Sequence, residues 1–365
     1  MFYHETLSQN RLRTILNSWK YLRLKIENGH FGTDWFVLCL TFCFMSMGRS
    51  SVAQEIPEVI RFDIMPSMVN PAWSGSQGGW SASMLYQPKM LGFESAPQLG
   101  AFSFQKSIGS TLGTGLAVSM DKRGPEQLFR LDWDLSSTFA AGEKSSWAFG
   151  LRTSVSQFTL RLSSLKPSDG SDPYLGKDIE NDMYLDFSAG VGWYSKNAYL
   201  GLSVANFYRA PVSVGDAQTT YNANLHVTGF GGVKKKLGYY VVWEPSLLVS
   251  VGQDSPLSGT VISNFLFAYE TFGAGAFYRS AEVVGATVDY RWELNRDDDK
   301  TIMIYYAFGA PINGASLIGT SSHEIGLRIS FNKKRNKKPK KEKSEKKEVA
   351  PKPRNPRSGS GARYQ

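Results

Sequence analysis

The chain has 365 residues, 42% hydrophobic and 20% charged, with 35 glycines, 13% aromatics and a net charge of +9. Residues 1–53 carry +3 and residues 332–365 carry +11, which leaves −5 for 54–331; a mildly acidic body with a basic tail is not the footprint of a nucleic-acid-binding domain. Both cysteines, Cys39 and Cys43, precede residue 54, which excludes a disulfide framework, a cysteine-ligated zinc and a cysteine nucleophile from the body.

The first segment reads as an export signal. The apolar run 35–48 (WFVLCLTFCFMSMG) follows Arg11, Arg13, Lys20, Arg23 and Lys25, and Ser51-Val52-Ala53 forms a small-x-small cleavage site. Cleavage after Ala53 leaves Gln54 as the mature N-terminus. A membrane-spanning helix needs about twenty apolar residues, more than this run supplies. A lipoprotein box, Leu40-Thr41-Phe42-Cys43, is the competing reading, and bulky Phe42 stands against it.

From residue 78 the pattern changes to period-2 alternation, and no later stretch is apolar enough for a spanning helix. In 183–194, Met183, Leu185, Phe187, Ala189, Val191 and Trp193 oppose Tyr184, Asp186, Ser188, Gly190, Gly192 and Tyr194. The same holds in 147–155, 198–207 and 324–331: one face apolar and aromatic, the other small and polar. A soluble sandwich alternates too. Segments of about ten residues and a polar face rich in glycine and serine favour a membrane barrel.

Fourteen segments are expected, an even number as bacterial outer-membrane barrels require: 78–88, 97–107, 111–121, 126–138, 144–157, 182–194, 197–207, 221–235, 238–250, 257–269, 271–280, 282–292, 300–309 and 322–331. Short and long connections alternate in most gaps, the longest being about 159–181, as expected for tight periplasmic turns and longer outer loops. The expected division is therefore a signal peptide at 1–53, an N-terminal periplasmic segment at 54–77 lying below or inside the barrel, a closed antiparallel transmembrane barrel at 78–331 and a disordered basic periplasmic tail at 332–365. Charges on the small-residue face, Arg152, Asp186, Glu324 and Arg328, are read as structural pairs within the lumen, because unpaired buried charge is costly.

Five short motifs occur in order: Asn70-Pro71-Ala72-Trp73-Ser74-Gly75-Ser76; Gly92-Phe93 with Ala96-Pro97; Gly113-x-Gly115-Leu116 running to Asp121 and Gly124-Pro125; Tyr199-Leu200-Gly201-Leu202-Ser203; and Ser322-His323-Glu324. Together they resemble the PorP/SprF-type proteins, outer-membrane components of type IX secretion and gliding machinery, over about 56–331. Trp73 and Ser74 depart from the commoner tyrosine and alanine, and the basic tail is not a general family feature. The resemblance implies a barrel that works with the periplasmic lipoprotein ring of that machinery or with the C-terminal signal domain of a secreted adhesin. The expected partner-binding residues are Asn70, Pro71, Ala72, Trp73 and Gly75 in the first motif, and Asp169, Asp172 and Tyr174 in the longest outer loop. In the last strand, Glu324-x-Gly326-x-x-Ile329-x-Phe331 resembles the pattern read by the barrel assembly machinery, with Gly326, Ile329 and Phe331 as its signal residues.

No constellation points to an enzyme, a metal site or a cofactor. The mature chain has two histidines, His226 and His323; His323-Glu324 begins like a zincin motif, yet no histidine follows four residues later. Asp297-Asp298-Asp299 lacks the oxygen-ligand spacing of a calcium loop and reads as a solvated turn. Gly109-x-x-x-Gly113-x-Gly115 lacks the lysine and serine of a phosphate loop and reads as barrel packing. The tail, with fourteen Lys/Arg and four prolines between 333 and 363, cannot bury enough surface to fold; an acidic partner, peptidoglycan or anionic lipid are its possible contacts, and nucleic acid is not expected.

The leading expectation is a non-enzymatic outer-membrane barrel with both termini in the periplasm, serving secretion or surface attachment of adhesin cargo. The rivals are a passive channel for small hydrophobic or polar solutes, and an anchor tying the membrane to the cell wall through the tail.

Overall fold

The computed structural model describes residues 59–331, apart from 77, 94, 143, 162–178, 210–211, 215–218, 222–224, 253–256, 269, 281–282, 296–299 and 313–320. The expected export signal, the basic tail, the Asp297–Asp299 run and the loop residues Asp169, Asp172 and Tyr174 lie outside the described residues.

Seven strands come first: β1 (Trp80–Pro88), β2 (Gln98–Ile108), β3 (Leu112–Arg123), β4 (Glu126–Ala140), β5 (Ser145–Leu160), β6 (Ile179–Ser195) and β7 (Ala198–Arg209). A small hairpin, β8 (Val212–Val214) and β9 (Thr219–Tyr221), forms its own two-stranded sheet. Then follow β10 (His226–Val233), the two-residue β11 (Lys235–Lys236), β12 (Val242–Gly252), β13 (Ser258–Phe267), β14 (Phe272–Arg279), β15 (Val283–Asn295), β16 (Lys300–Pro311) and β17 (Ser322–Phe331). Each long strand pairs antiparallel with its sequence neighbour, β10 bridges β7 and β12, and β17 returns to β1. Among the described residues, fourteen long strands thus close a barrel, with β11 as a short extra partner of β12. Closure leaves no sheet edge to lipid, the condition a sheet must meet to cross a bilayer.

The pleat separates two environments. Along β5, Trp147, Phe149 and Leu151 are exposed while Ala148, Gly150, Arg152 and Ser154 are buried. β1 repeats this, with Met84 and Tyr86 outward and Ser81, Ser83 and Leu85 inward. The molecule is inverted relative to a soluble protein: large apolar side chains face out and small polar ones face in, as a barrel wall in lipid requires. Aromatic residues mark its ends, Trp80 lying 6.3 Å from Phe104 and 6.4 Å from Phe331.

The expected strands are present with small shifts. The segment expected at 221–235 is divided, its first residue belonging to β9 and its main part to β10; the following strand begins at Val242 because 237–241 forms the turn. The gap expected at 294–299 narrows because β15 continues through a register irregularity between Glu293 and Asn295.

Residues 59–76 precede β1 and lie within the barrel. They contain one short helix, α1 (Pro66–Val69), with proline in its first turn, and a 3-10 turn (Pro71–Trp73) capped by Asn70 Oδ1, which accepts from Ala72 N at 2.9 Å. Arg61, Phe62, Asn70 and Ala72 have no exposed surface, although the segment forms no strand. Its partners come from the wall.

Candidate functional site: an occupied lumen

Two apolar clusters hold the segment. Ile60, Phe62, Ala72 and Trp73 pack with Ala148, Phe230, Ile262, Phe277 and Ala307 from the wall, and Trp73 lies 4.8 Å from Phe230 between ring centroids. Val59, Ile64 and Met65 pack with Leu85, Leu99, Ala101, Met303 and Tyr305. Fully burying such side chains contributes about 1.5–3 kcal/mol each.

The motif at 70–76 fits this wall through missing side chains. Asn70 Nδ2 donates to the carbonyls of Val191 (3.1 Å) and Leu202 (3.0 Å), which ties the segment to β6 and β7. A Cβ on Gly150 would collide with the backbone of Pro71 and Ala72, and one on Gly192 with the Trp73 ring. Gly75 has φ +72°, and a side chain there would strike Lys106 and Gly113. Ser74 Oγ donates to Asp134 Oδ2 at 2.6 Å, and Tyr194 Oη to the Ser76 carbonyl at 2.7 Å. The Gly113-x-Gly115 pair, expected to serve barrel packing, faces Ser74 and Gly75 and makes room for the segment itself.

Two charge networks complete the lumen. On β4–β6, Arg152 Nε lies 2.7 Å from Asp134 and its Nη1 3.6 Å from Asp132, while Arg130 pairs with Asp132 at 2.8 Å and Asp186 at 3.3 Å. Arg152 also donates to the carbonyls of Ser67 (2.5 Å) and Met68 (3.0 Å), so this network grips the end of α1. On the opposite side, Arg61 of the segment pairs with its own Asp63 at 2.9 Å and with Asp289 of the β15 wall at 3.1 Å. The network continues from Asp289 to Arg291 (3.3 Å), Glu244 (3.2 Å) and Lys234, which also meets Glu270.

Glu324 accepts the backbone N–H groups of Ile60 (2.7 Å) and Arg61 (3.0 Å), and Arg328 donates to the Ile64 carbonyl. All four lumen charges singled out in the sequence are thus structural, two holding the wall together (with Arg152 doing both) and the others gripping the segment. Arg61, Arg130 and Asp134 were not singled out; for the latter two the Arg130-x-Asp132-x-Asp134 spacing along one strand face was the available signal.

The segment divides the remaining lumen. On the side of the longer connections, a cavity of about 90 Å³ is lined by Val59, Met68, Arg130, His226 and Arg279. On the short-turn side, one of about 320 Å³ is lined by Asp63, Tyr199, Lys234, Glu244, Arg291 and Arg328. Among the described residues no group of three or more His, Cys, Asp and Glu could hold a metal ion.

Of the sequence-derived site residues, Asn70, Pro71, Ala72, Trp73 and Gly75 are thus brought together inside the lumen. Gly326 faces inward under the Tyr305 ring, Ile329 is exposed on the outer face, and Phe331 ends the last strand beside Trp80, with Lys300 Nζ 5.3 Å from its ring centroid.

A closed, outward-apolar barrel with its lumen occupied by its own N-terminal segment defines an outer-membrane β-barrel. The chain belongs to the family of the type IX secretion system membrane protein PorP/SprF, whose model matches residues 51–329. Neither this family nor the fold is an enzymatic class. No curated protein sequence matches the chain. Similar solved structures include the CymD monoaromatic hydrocarbon channel (12% identity, TM-score 0.47, covering 74% of this chain and 92% of that one). A Pseudomonas aeruginosa FadL homologue is similar at 9% identity and TM-score 0.45, covering 72% and 92%. The Ralstonia pickettii toluene transporter TbuX is similar at 11% and 0.45, covering 79% and 96%.

Proposed function

We propose that this protein is a non-enzymatic component of the type IX secretion and gliding machinery that supports secretion or surface attachment of adhesin-type cargo by protein–protein contacts. The observation that carries this reading is the occupied lumen: residues 59–76 fill the space a solute path needs and are bonded to opposite walls. A barrel so filled offers its loops and rims as working surfaces. The short-turn rim then faces the periplasm, where it meets the lipoprotein ring or an adhesin C-terminal signal domain. The outer loop 159–181, with Asp169, Asp172 and Tyr174, is the surface assigned to cargo. Asn70, Pro71, Ala72, Trp73 and Gly75 serve this role from within, by fixing the segment that fills the barrel. The segment 1–53 is the export signal removed after Ala53.

The test is a mild-detergent pull-down from outer membranes through an epitope in the tail, read by mass spectrometry, on the wild-type chain and on one lacking 163–178. Ring lipoproteins or a large adhesin are expected with the wild type, and loss of the adhesin with the deletion while the barrel keeps its heat-modifiable migration. Recovery of the barrel alone, with steady single-channel conductance in planar bilayers, would overturn this reading in favour of a passive channel.

A further inference from the structure

The barrel closes where the first strand meets the last, and the lumen segment lies across that junction. β1 and β17 pair from Trp80 opposite Phe331 to Tyr86 opposite Ile325. Inside this seam, Val59, Ile64 and Met65 pack on Leu85 of β1, Leu99 and Ala101 of β2, and Met303 and Tyr305 of β16. The cluster thus has walls on both sides of the junction. The polar bonds fall on β17: Glu324 accepts from Ile60 N and Arg61 N, and Arg328 donates to the Ile64 carbonyl. Arg61 also places its guanidinium carbon 5.7 Å from the Tyr305 ring centroid, next to the strand that completes the barrel.

The rest of the segment is anchored elsewhere. Asn70 bonds to β6 and β7, Ser74 to β4, and Met68 and Ser67 to Arg152 of β5, all far from the seam in strand order. Its two halves therefore do different work. We propose that residues 59–65 are an internal clasp on the β1–β17 seam, so that the N-terminal segment holds the barrel closed in addition to filling it.

The physical reason lies in how the seam forms. Each neighbouring pair joined by a short turn has its partner tethered nearby, whereas β1 and β17 are separated by more than 230 residues and meet only at high loop-closure cost. The clasp precedes β1 directly in the chain, so it arrives with that strand. It presents β17 with two buried N–H donors and a carbonyl that only Glu324 and Arg328, correctly registered, can satisfy. A buried carboxylate left without those donors is costly, so register and closure are coupled.

The experiment uses the protein assembled in outer membranes, in which removal of 1–53 leaves no native cysteine, with Ser81→Cys and Ser330→Cys introduced at directly opposed seam positions. Heat-modifiable migration is measured with this bridge reduced and oxidised, in wild type, in Ile64→Asp and Glu324→Ala, and in Asn70→Ala as an anchor variant remote from the seam. The clasp variants are expected to lose their folded migration several degrees lower than wild type when reduced. Oxidising the bridge is expected to recover more in them than in wild type or Asn70→Ala. An equal gain in all backgrounds, or clasp variants as stable as wild type, would overturn the proposal. Should Glu324→Ala fail to assemble, Glu324→Gln carries the same comparison, because it keeps one acceptor oxygen and the side-chain volume.

Discussion

Ser74 Oγ donates to Asp134 Oδ2 at 2.6 Å, and that carboxylate is also held by Arg152, whose Nη2 lies 2.8 Å from the same oxygen. One buried acidic group on β4 therefore fixes both a neighbouring strand and the lumen segment. Arg152 in turn reaches the carbonyls of Ser67 and Met68, closing a ring of bonds that begins and ends on the segment. Ser74 is thus engaged, and it adds a polar tie to an apolar fit.

Removing the two ends of this tie has unequal effects. Ser74→Ala deletes one hydrogen bond to a carboxylate that keeps Arg152 and is expected to cost about 1.5–3 kcal/mol. Asp134→Ala leaves Arg152 buried beside a vacancy and is expected to cost about 3–5 kcal/mol. Urea unfolding of the detergent-solubilised barrel, followed by tryptophan fluorescence, measures both; a larger loss for Ser74→Ala would contradict this bonding order.

Glycine substitutions separate lumen fit from general strand behaviour. Gly150→Ala places a methyl group against the backbone of Pro71 and Ala72, which cannot rotate away, and is expected to destabilise by about 1–3 kcal/mol and loosen the segment. Gly100→Ala meets no atom within 4 Å and should be close to neutral. Proteinase sensitivity of 59–76 in intact membranes reads the loosening directly, and equal sensitivity in the two variants would refute it.

The outer face is expected to behave as a lipid contact. Leu151, at mid-height of β5, is 63% exposed. Leu151→Arg should cost about 2–4 kcal/mol in a bilayer, the range for cationic residues near the midplane of a barrel wall. Folding titrations in phosphatidylcholine vesicles measure this, and a neutral substitution would show that position not to face lipid.

The last strand is where an assembly signal is expected. Phe331→Ala removes a ring that meets Trp80 and Lys300 and is expected to reduce the amount of barrel in the outer membrane, with unassembled chain appearing in the periplasm. Fractionation with immunoblotting follows both pools. Assembly at the wild-type level would remove Phe331 from the signal and leave its rim packing as its role.

Much of the architecture was legible because a strand with lipid on one side and lumen on the other writes both environments into alternate residues. Strands β1 to β7 lie within a few residues of their expected bounds, for example β6 (Ile179–Ser195) against 182–194. The hairpin β8–β9 was not legible, since a stretch of mixed polarity between two strands reads as a connection; only Tyr221 falls within an expected strand.

The sequence by itself determined the barrel, its strand number, the inward charges and the family motifs, because each depends on local alternation or on order along the chain. Only the tertiary structure decided what the inward residues face. The motif at 70–76 shows no periodicity that reveals its burial; its fit depends on Gly113, Gly150 and Gly192 lying opposite it from three strands. Arg61 meeting Asp289, and Ile60 meeting Glu324, join positions more than 220 residues apart. Such partners are set by closure, and closure brings together residues whose sequence neighbours carry no trace of the meeting.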